Sequence, residues 1–242
     1  MILSAHQPVY LPWLGFLHKV RACDLFVLMD DVKYSRNSVY ARNQIRSTNG
    51  AARWLTVPVT HDSHERPINR VKIAPGGTWQ GKHLNAIGAA YSRTAFFKDY
   101  IGFFEWVYRG NRWESLCALN LCILAQVLEW YDIRTPIALA SDHGVSGAKS
   151  ELVLNYCVTF GADLYLFGKS GRHYADEGSF RARGVRIAFQ DYLHPVYDQG
   201  GAAFLPNLSA IDLLFHHGPE ARRILMNHNL DKAHRRSVLA EL

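Results

Sequence analysis

His6, Asp30, Asp31, Asp191 and His194 are the residues of this chain whose types and positions suit acid-base chemistry. Each stands just beyond an apolar run: His6 after Met1-Ile2-Leu3, the aspartate pair after Leu25-Phe26-Val27-Leu28-Met29, and Asp191 and His194 after a run over 185–189. An imidazole titrates near neutrality and can take a proton from an attacking amine or hydroxyl, and a carboxylate on the same loop orients the ring and raises its basicity. Asp191 and His194 are therefore expected to work as a pair. Asp30 or Asp31 is expected to hold the hydroxyls or ammonium of an acceptor. Gln7, Tyr10, Arg42, Asn43, Lys82, His83, Lys169 and Tyr174 form the expected binding set. Of these, Arg42, Lys82 and Lys169 suit phosphate, and Gln7 or Asn43 suits a developing oxyanion.

The elements that position these residues follow from periodicity. Met1-Ile2-Leu3 is too short to be anything but a buried strand, and Pro8 and Pro12 end it and start a helix running to about Ala22. With the run 25–29, strand, helix and strand fit within about thirty residues, the signature of a βαβ unit in a parallel sheet. Ligands of such sheets sit beyond the carboxyl ends of the strands. The middle of the chain spaces apolar residues at three and four, predicting helices over 79–91, 94–108 and 113–130, with Thr94 and Asn111 as start signals. Their many aromatic residues are expected to be core. Lys82 and His83 open the first of these helices, where backbone N–H groups favour an anion.

After Pro136 the rhythm returns, with a strand over 137–140, a helix over 149–160 and a strand over 164–167, read as a second βαβ unit. The following Gly168-Lys169-Ser170-Gly171-Arg172-His173-Tyr174 is a loop suited to phosphate, although it lacks the spacing of a P-loop. Ser209 is the natural N-cap of a helix over 210–217 that Gly218 closes, and Asp212 complements its dipole. The fold class expected is α/β, an open, mostly parallel sheet flanked by helices, with a helical insertion in the middle of the chain. Residues 1–230 are read as one such domain, helical near 78–130, and 231–242 as a basic tail.

Composition narrows the function. With 242 residues and 48% hydrophobic content, the chain can bury one large core. No apolar run approaches the ~20 residues needed to span a bilayer, and the amino terminus lacks a secretory signal, so a cytoplasmic protein without a membrane span is expected. The net charge of +6 would suit nucleic acid, yet part of it lies in the tail, in Lys232, Arg235 and Arg236 beside His234. No DNA- or RNA-binding signature accompanies it, so nucleic acid is not the expected partner. Cys23, Cys117, Cys122 and Cys157 have no C-x-x-C spacing and read as small hydrophobes, which argues against a structural metal or a disulfide framework. No bound cofactor is expected, a thioester or nucleotide entering only as co-substrate. The expected partners are a small-molecule substrate and a carrier protein, with a homodimer as the base-rate oligomer.

Several blocks carry a resemblance that periodicity does not supply. His6-Gln7-Pro8-Val9-Tyr10-Leu11-Pro12-Trp13-Leu14-Gly15-Phe16, Asp30-Asp31-Val32-Lys33-Tyr34, Arg53-Trp54-Leu55-Thr56-Val57-Pro58-Val59, Trp79 with Lys82-His83, Gly161-Ala162-Asp163-Leu164-Tyr165-Leu166, 191–199 and 208–215 together resemble the WbqC-like protein family over about residues 2 to 218. Where that family usually shows an aromatic residue and then Asn before its Arg-Asn pair, this chain reads Tyr40-Ala41-Arg42-Asn43, so any role of that Asn does not transfer. The resemblance implies a small cytoplasmic enzyme, a transferase that decorates an amino sugar or an amine. Group transfer from an activated acyl or aminoacyl donor, with His6 or His194 as base, is the leading reading. Two others stand beside it. Nucleotidyl transfer is suggested by His6 and the Gly15-Phe16-Leu17-His18 segment, whose layout is similar to HIGH-type enzymes although two prolines intervene. A non-catalytic module binding a carrier protein or nucleic acid is the third.

Overall fold

A computed structural model of the chain describes residues 1–201 and 203–229; the expected basic tail, 231–242, lies outside the described residues. In chain order the elements are β1 (Ile2–His6), α1 (Leu14–Arg21), β2 (Leu25–Leu28), β3 (Arg42–Arg46), β4 (Ala52–Thr56), α2 (Trp79–Tyr91), α3 (Phe97–Glu105), α4 (Leu116–Trp130), β5 (Ile137–Leu139), α5 (Lys149–Phe160), β6 (Leu164–Phe167), α6 (Glu177–Ala182), β7 (Arg186–Phe189), α7 (Ile211–His217) and α8 (Ala221–Leu225). Five strands form one parallel sheet in the order β5-β2-β1-β6-β7, and β3 and β4 form a separate antiparallel hairpin. The fold is α/β, as expected.

The period of two along each strand assigns its faces. Ile2, Phe26, Leu28, Leu164 and Leu166 face α1 and the helical layer built by α2, α3, α4 and α7. Leu3, Ala5, Val27, Tyr165 and Phe167 face α5 and α6. By this parity His6, the last residue of β1, falls on the α1 side.

The second βαβ unit is not a local one. β5 and β6 do not pair; β2 and β1 lie between them, and α5 carries the chain across the sheet. Burial decides this arrangement. β1, in which Ser4 is also buried, and the all-hydrophobic β6 are buried on both faces, as central strands of a parallel sheet must be, whereas β5 begins with half-exposed Ile137 and β7 with exposed Arg186. The adjacent βαβ unit is instead β6-α6-β7, whose helix starts on Asp176, the carboxylate accepting from the Ser179 N–H at 3.2 Å. Neither α6 nor the β3–β4 hairpin is evident from periodicity, because α6 has six residues and the hairpin is rich in polar side chains.

Two start signals differ from expectation. α4 is capped by Ser115, whose Oγ accepts from the Ala118 N–H at 3.2 Å, while Asn111 donates to the Trp106 carbonyl at the close of a wide helical turn over Trp106–Gly110. Thr94 donates to the Tyr91 carbonyl rather than capping α3. Ser209 accepts from the Ile211 N–H at 3.4 Å at the start of α7.

Asp212 is a buried hub, not only a dipole partner. Its carboxylate accepts from the Tyr91 hydroxyl at 2.9 Å, the Tyr197 hydroxyl at 2.9 Å and the Gln199 amide at 3.1 Å, tying α7 to α2 and to the segment beyond β7. Asp212→Ala leaves these buried donors without an acceptor and is expected to destabilise the fold by about 3 kcal/mol or more. Urea unfolding would register it as a lower midpoint at unchanged m-value, and a midpoint equal to wild type would refute the hub role.

Candidate functional site

Winding reverses between β1 and β6: from β1 the chain proceeds to β2 on one side, and from β6 to β7 on the other. Parallel sheets open a crevice at such a point, outside the strands' carboxyl ends. Here a cleft of about 800 Å³ occupies it, lined by residues that include His6, Gln7, Trp13, Phe16, Lys19, Lys169, Arg172, Tyr174, Asp191, Tyr192 and His194. Six of the residues singled out from sequence meet in this cleft: His6, Gln7, Lys169, Tyr174, Asp191 and His194.

His6 is held from several directions. Its ring meets Trp13 and Phe16 edge to face, at centroid distances of 5.6 and 5.4 Å. Its Nδ1 donates to the Gln7 carbonyl at 2.9 Å, which leaves Nε2 as the acceptor atom. Burial, reinforced by the charge of Lys19 and opposed by the bond to Gln7, lowers its pKa from the ordinary 6.5 to about 4. The ring is therefore neutral at physiological pH.

Lys19 was not singled out from the sequence. It projects from α1 and is only 6% exposed, and its Nζ donates to the Ala5 carbonyl at 2.8 Å. Among the described residues no carboxylate forms an ion pair with it, and burial lowers its amine from the ordinary 10.5 to about 8. A signal for it does exist in hindsight. α1 is flanked by strands buried on both faces, so a lysine within Leu14-Gly15-Phe16-Leu17-His18-Lys19-Val20 has little solvent to reach. Lys169 and Arg172 add positive charge from the turn after β6, facing a single lining carboxylate, Asp191. The Tyr192 hydroxyl on the same wall is buried without a hydrogen-bond partner.

The turn after β6 packs against its own strand. A Cβ on Gly171 would lie 2.6 Å from atoms of Phe167, so only glycine lets residues 169–173 fold back there. Gly171→Ala is expected to destabilise by about 1–3 kcal/mol through this overlap and to displace Lys169 and Arg172. Thermal unfolding checks the first effect; an unchanged melting temperature would show that Phe167 yields freely.

The expected Asp191–His194 pair does not form. His194 donates through Nδ1 to the Pro195 carbonyl at 2.9 Å and accepts at Nε2 from the Asn207 N–H at 3.1 Å, so both ring nitrogens are spent on backbone. Asp191 is exposed at the rim. His6, with a nitrogen to spare, is the better-placed imidazole.

The remaining residues lie outside the cleft's lining. Asp30 is 2% exposed and accepts from the Ser141 backbone at 3.0 Å, the Ser141 hydroxyl at 2.7 Å and Asn69 at 3.3 Å; it joins β2 to the end of β5. Asp31 keeps one buried oxygen without a hydrogen-bond partner, and burial raises its carboxyl above the ordinary value. Tyr10 is fully buried and bonded to His83 and Tyr108, and Asn43 is a clamp from its amide to the Leu11 carbonyl, where the backbone takes φ +47. Neither reaches a ligand in the cleft. Arg42 stacks on Trp54 with its guanidinium carbon 4.4 Å from the ring centre. Lys82 and His83 line a separate groove, and His83 is lowered from 6.5 to about 4 chiefly by burial, so it is not a cation for phosphate.

Two cysteines shed light on nucleophilic chemistry. Burial pushes the Cys117 and Cys157 thiols up to about 12, the opposite of an activated thiolate. Among the described residues no group of three His, Cys, Asp or Glu side chains converges as a metal site, and no helix is long and apolar enough to cross a membrane.

No solved structure matches the chain. A protein of Mycobacterium tuberculosis described as "Uncharacterized protein Rv1507c" is 30% identical over 216 residues, covering 89% of this chain and 93% of that relative. The model of the WbqC-like protein family matches residues 7–224, a span that takes in the loop after β1, α1, the hairpin and the turn after β6. With most of its length matched, the chain belongs to the WbqC-like protein family.

Proposed function

We propose that this protein is a group transferase that moves an acyl or aminoacyl group from a phosphate-bearing thioester to an amine or hydroxyl of a small acceptor such as an amino sugar. One observation carries the reading: at the switch point of the sheet, a neutral imidazole with an uncommitted Nε2 faces a cleft whose cations, Lys19, Lys169 and Arg172, outnumber its one carboxylate. The cations suit the phosphates of coenzyme A or of a carrier protein's phosphopantetheine arm. In the step, the acceptor's N–H or O–H proton passes to His6 Nε2 as its heteroatom attacks the thioester carbonyl. The C–S bond then breaks, and the departing thiolate takes up a proton. Gln7 stands on the same wall as a donor for the developing oxyanion.

His6 is a weak base chiefly because it is buried, and the charge of Lys19 beside it weakens it further. A bound phosphate compensates Lys19 and raises the imidazole's basicity, so the base becomes effective once the donor is seated. The nucleotidyl-transfer reading is weakened by His18, which would have to serve as its second histidine. His18 is fully buried, with Nδ1 accepting from the Gln190 amide at 2.9 Å.

The test is a thermal-shift screen of wild type and His6→Asn with coenzyme A thioesters, nucleotide-sugars and nucleoside triphosphates, each hit followed by mass spectrometry of added amine acceptors. Stabilisation by a thioester and acyl product with wild type alone supports the proposal. Pyrophosphate release from a triphosphate, or stabilisation by none of the three classes, overturns it in favour of nucleotidyl transfer or of a non-catalytic module respectively.

A further inference from the structure

Two residues that the cleft leaves unused, Lys82 and His83, meet elsewhere. Arg53, Trp54, Thr56, Thr78, Lys82 and His83 line a groove of about 460 Å³ between the β3–β4 hairpin and the start of α2. It shares no lining residue with the cleft. We propose that this groove is a second binding site, for a small anion that carries a ring.

Charge is the first ground. Arg53 and Lys82 line the groove, and among the described residues no acidic side chain does. Arg42, stacked on Trp54 at the groove's side, adds a further positive charge nearby. The second ground is the aromatic surface. In the hairpin's register Asn43, Ile45 and Leu55 turn inward and are buried, which sends Arg42, Trp54 and Thr56 outward. Trp54 is 47% exposed although it is a large apolar side chain. Arg42's guanidinium lies over its ring, 4.4 Å from the centroid, and Trp54 is among the residues that line the groove. An exposed indole held in place by a stacked arginine offers a flat surface to a sugar or a base.

The third ground is a rigid floor. His83, 5% exposed, meets Trp79 edge to face at 5.2 Å and is fixed through Nδ1 by the Tyr10 hydroxyl at 2.8 Å, which in turn bonds Tyr108. Its ring is neutral, so the groove presents cations at its edges and an uncharged back wall, an order suited to a ring inside and an acidic group at the mouth. A volume of about 460 Å³ falls within the range of small-molecule pockets. A nucleoside phosphate and an acidic sugar share this chemistry.

The experiment is isothermal titration calorimetry on the full chain at low salt with adenosine monophosphate, glucuronate, their neutral counterparts adenosine and glucose, and inorganic phosphate. The variants are Trp54→Ala, the exposed-charge double Arg53→Ala/Lys82→Ala, and Lys169→Ala in the cleft. One anionic ring compound is expected to bind at least about tenfold more tightly than its neutral counterpart and than phosphate. Trp54→Ala and the double variant are each expected to weaken it by about tenfold, and Lys169→Ala to leave it unchanged. Response to the nucleotide alone or to the sugar acid alone identifies the source. Binding by neither, phosphate binding as tightly as the ring compounds, or loss in Lys169→Ala rather than in the groove variants overturns the proposal while leaving the cleft's function untouched.

Discussion

Replacing His6 by Asn is expected to lower turnover of the transfer reaction by roughly a hundred- to ten-thousandfold, the usual contribution of a positioned general base. The substitution keeps a hydrogen-bonding side chain against Trp13 and Phe16, so the loss is one of proton transfer more than of shape. The pH profile distinguishes this base from an ordinary histidine. With the free ring lowered to about 4, kcat/KM should hold its value well below pH 6.5 and fall only as pH approaches 4. The profile of kcat, which reports the complex, should fall at a higher pH, because bound phosphate offsets Lys19. An acid limb near 6.5 in both profiles, or full activity in His6→Asn, would remove His6 from the mechanism. Linkage gives an independent check: between about 4 and 6.5 the unfolded chain binds more protons at this ring than the folded one. Stability should therefore decline as pH falls through that window, and less so in the variant.

Lys19→Met is expected to separate function from stability. If the lysine holds a donor phosphate, losing one charge-assisted hydrogen bond costs about 1.5–3 kcal/mol, or roughly ten- to a hundredfold in donor affinity. The fold should not suffer and should gain. Lys19 is 6% exposed, and the lowering of its amine from 10.5 to about 8 reflects burial of a charge with which, among the described residues, no carboxylate pairs. Protonated, it therefore burdens the native state by something of order 3 kcal/mol, and methionine fills similar space without that penalty. The sign is the reverse of a salt-bridged lysine's. The burden is full below pH 8 and is relieved as pH rises from about 8 towards 10.5, because the folded state sheds the proton first. Chemical denaturation of both forms from pH 7 to 10 should show wild type catching up with Lys19→Met. A variant that is less stable at pH 7, or one that binds the donor as wild type does, would contradict this account.

The strands and long helices of this chain were legible because their periods are local properties. Runs such as Leu25-Phe26-Val27-Leu28 and the three-and-four spacing of 79–91 and 116–130 report burial directly. Short or polar elements carry no such record. α6 and the β3–β4 hairpin are set by a cap, a tight turn and docking against α7, where the Ser209 N–H donates to the Gln44 carbonyl at 2.8 Å.

At the candidate site the division is sharper. Sequence placed His6, Gln7, Lys169, Tyr174, Asp191 and His194 at strand ends, and a parallel sheet brings strand ends together, so these residues meet. Residue type alone did not tell a ligand-facing side chain from a structural one. Asp30, Tyr10 and Asn43 have the chemistry of a site, yet their partners are Ser141, His83 and the Leu11 carbonyl, all distant in the chain.

By itself, then, the sequence determined the α/β class, the family and the set of strand ends from which a cleft is built, since each depends on local pattern. Tertiary structure alone decided the strand order, the splitting of the polar residues between a cleft and a groove, the engagement of both His194 nitrogens and the burial of Lys19. These depend on which neighbours compete for each hydrogen bond and how much water is excluded, and both are set by contacts between segments far apart in sequence.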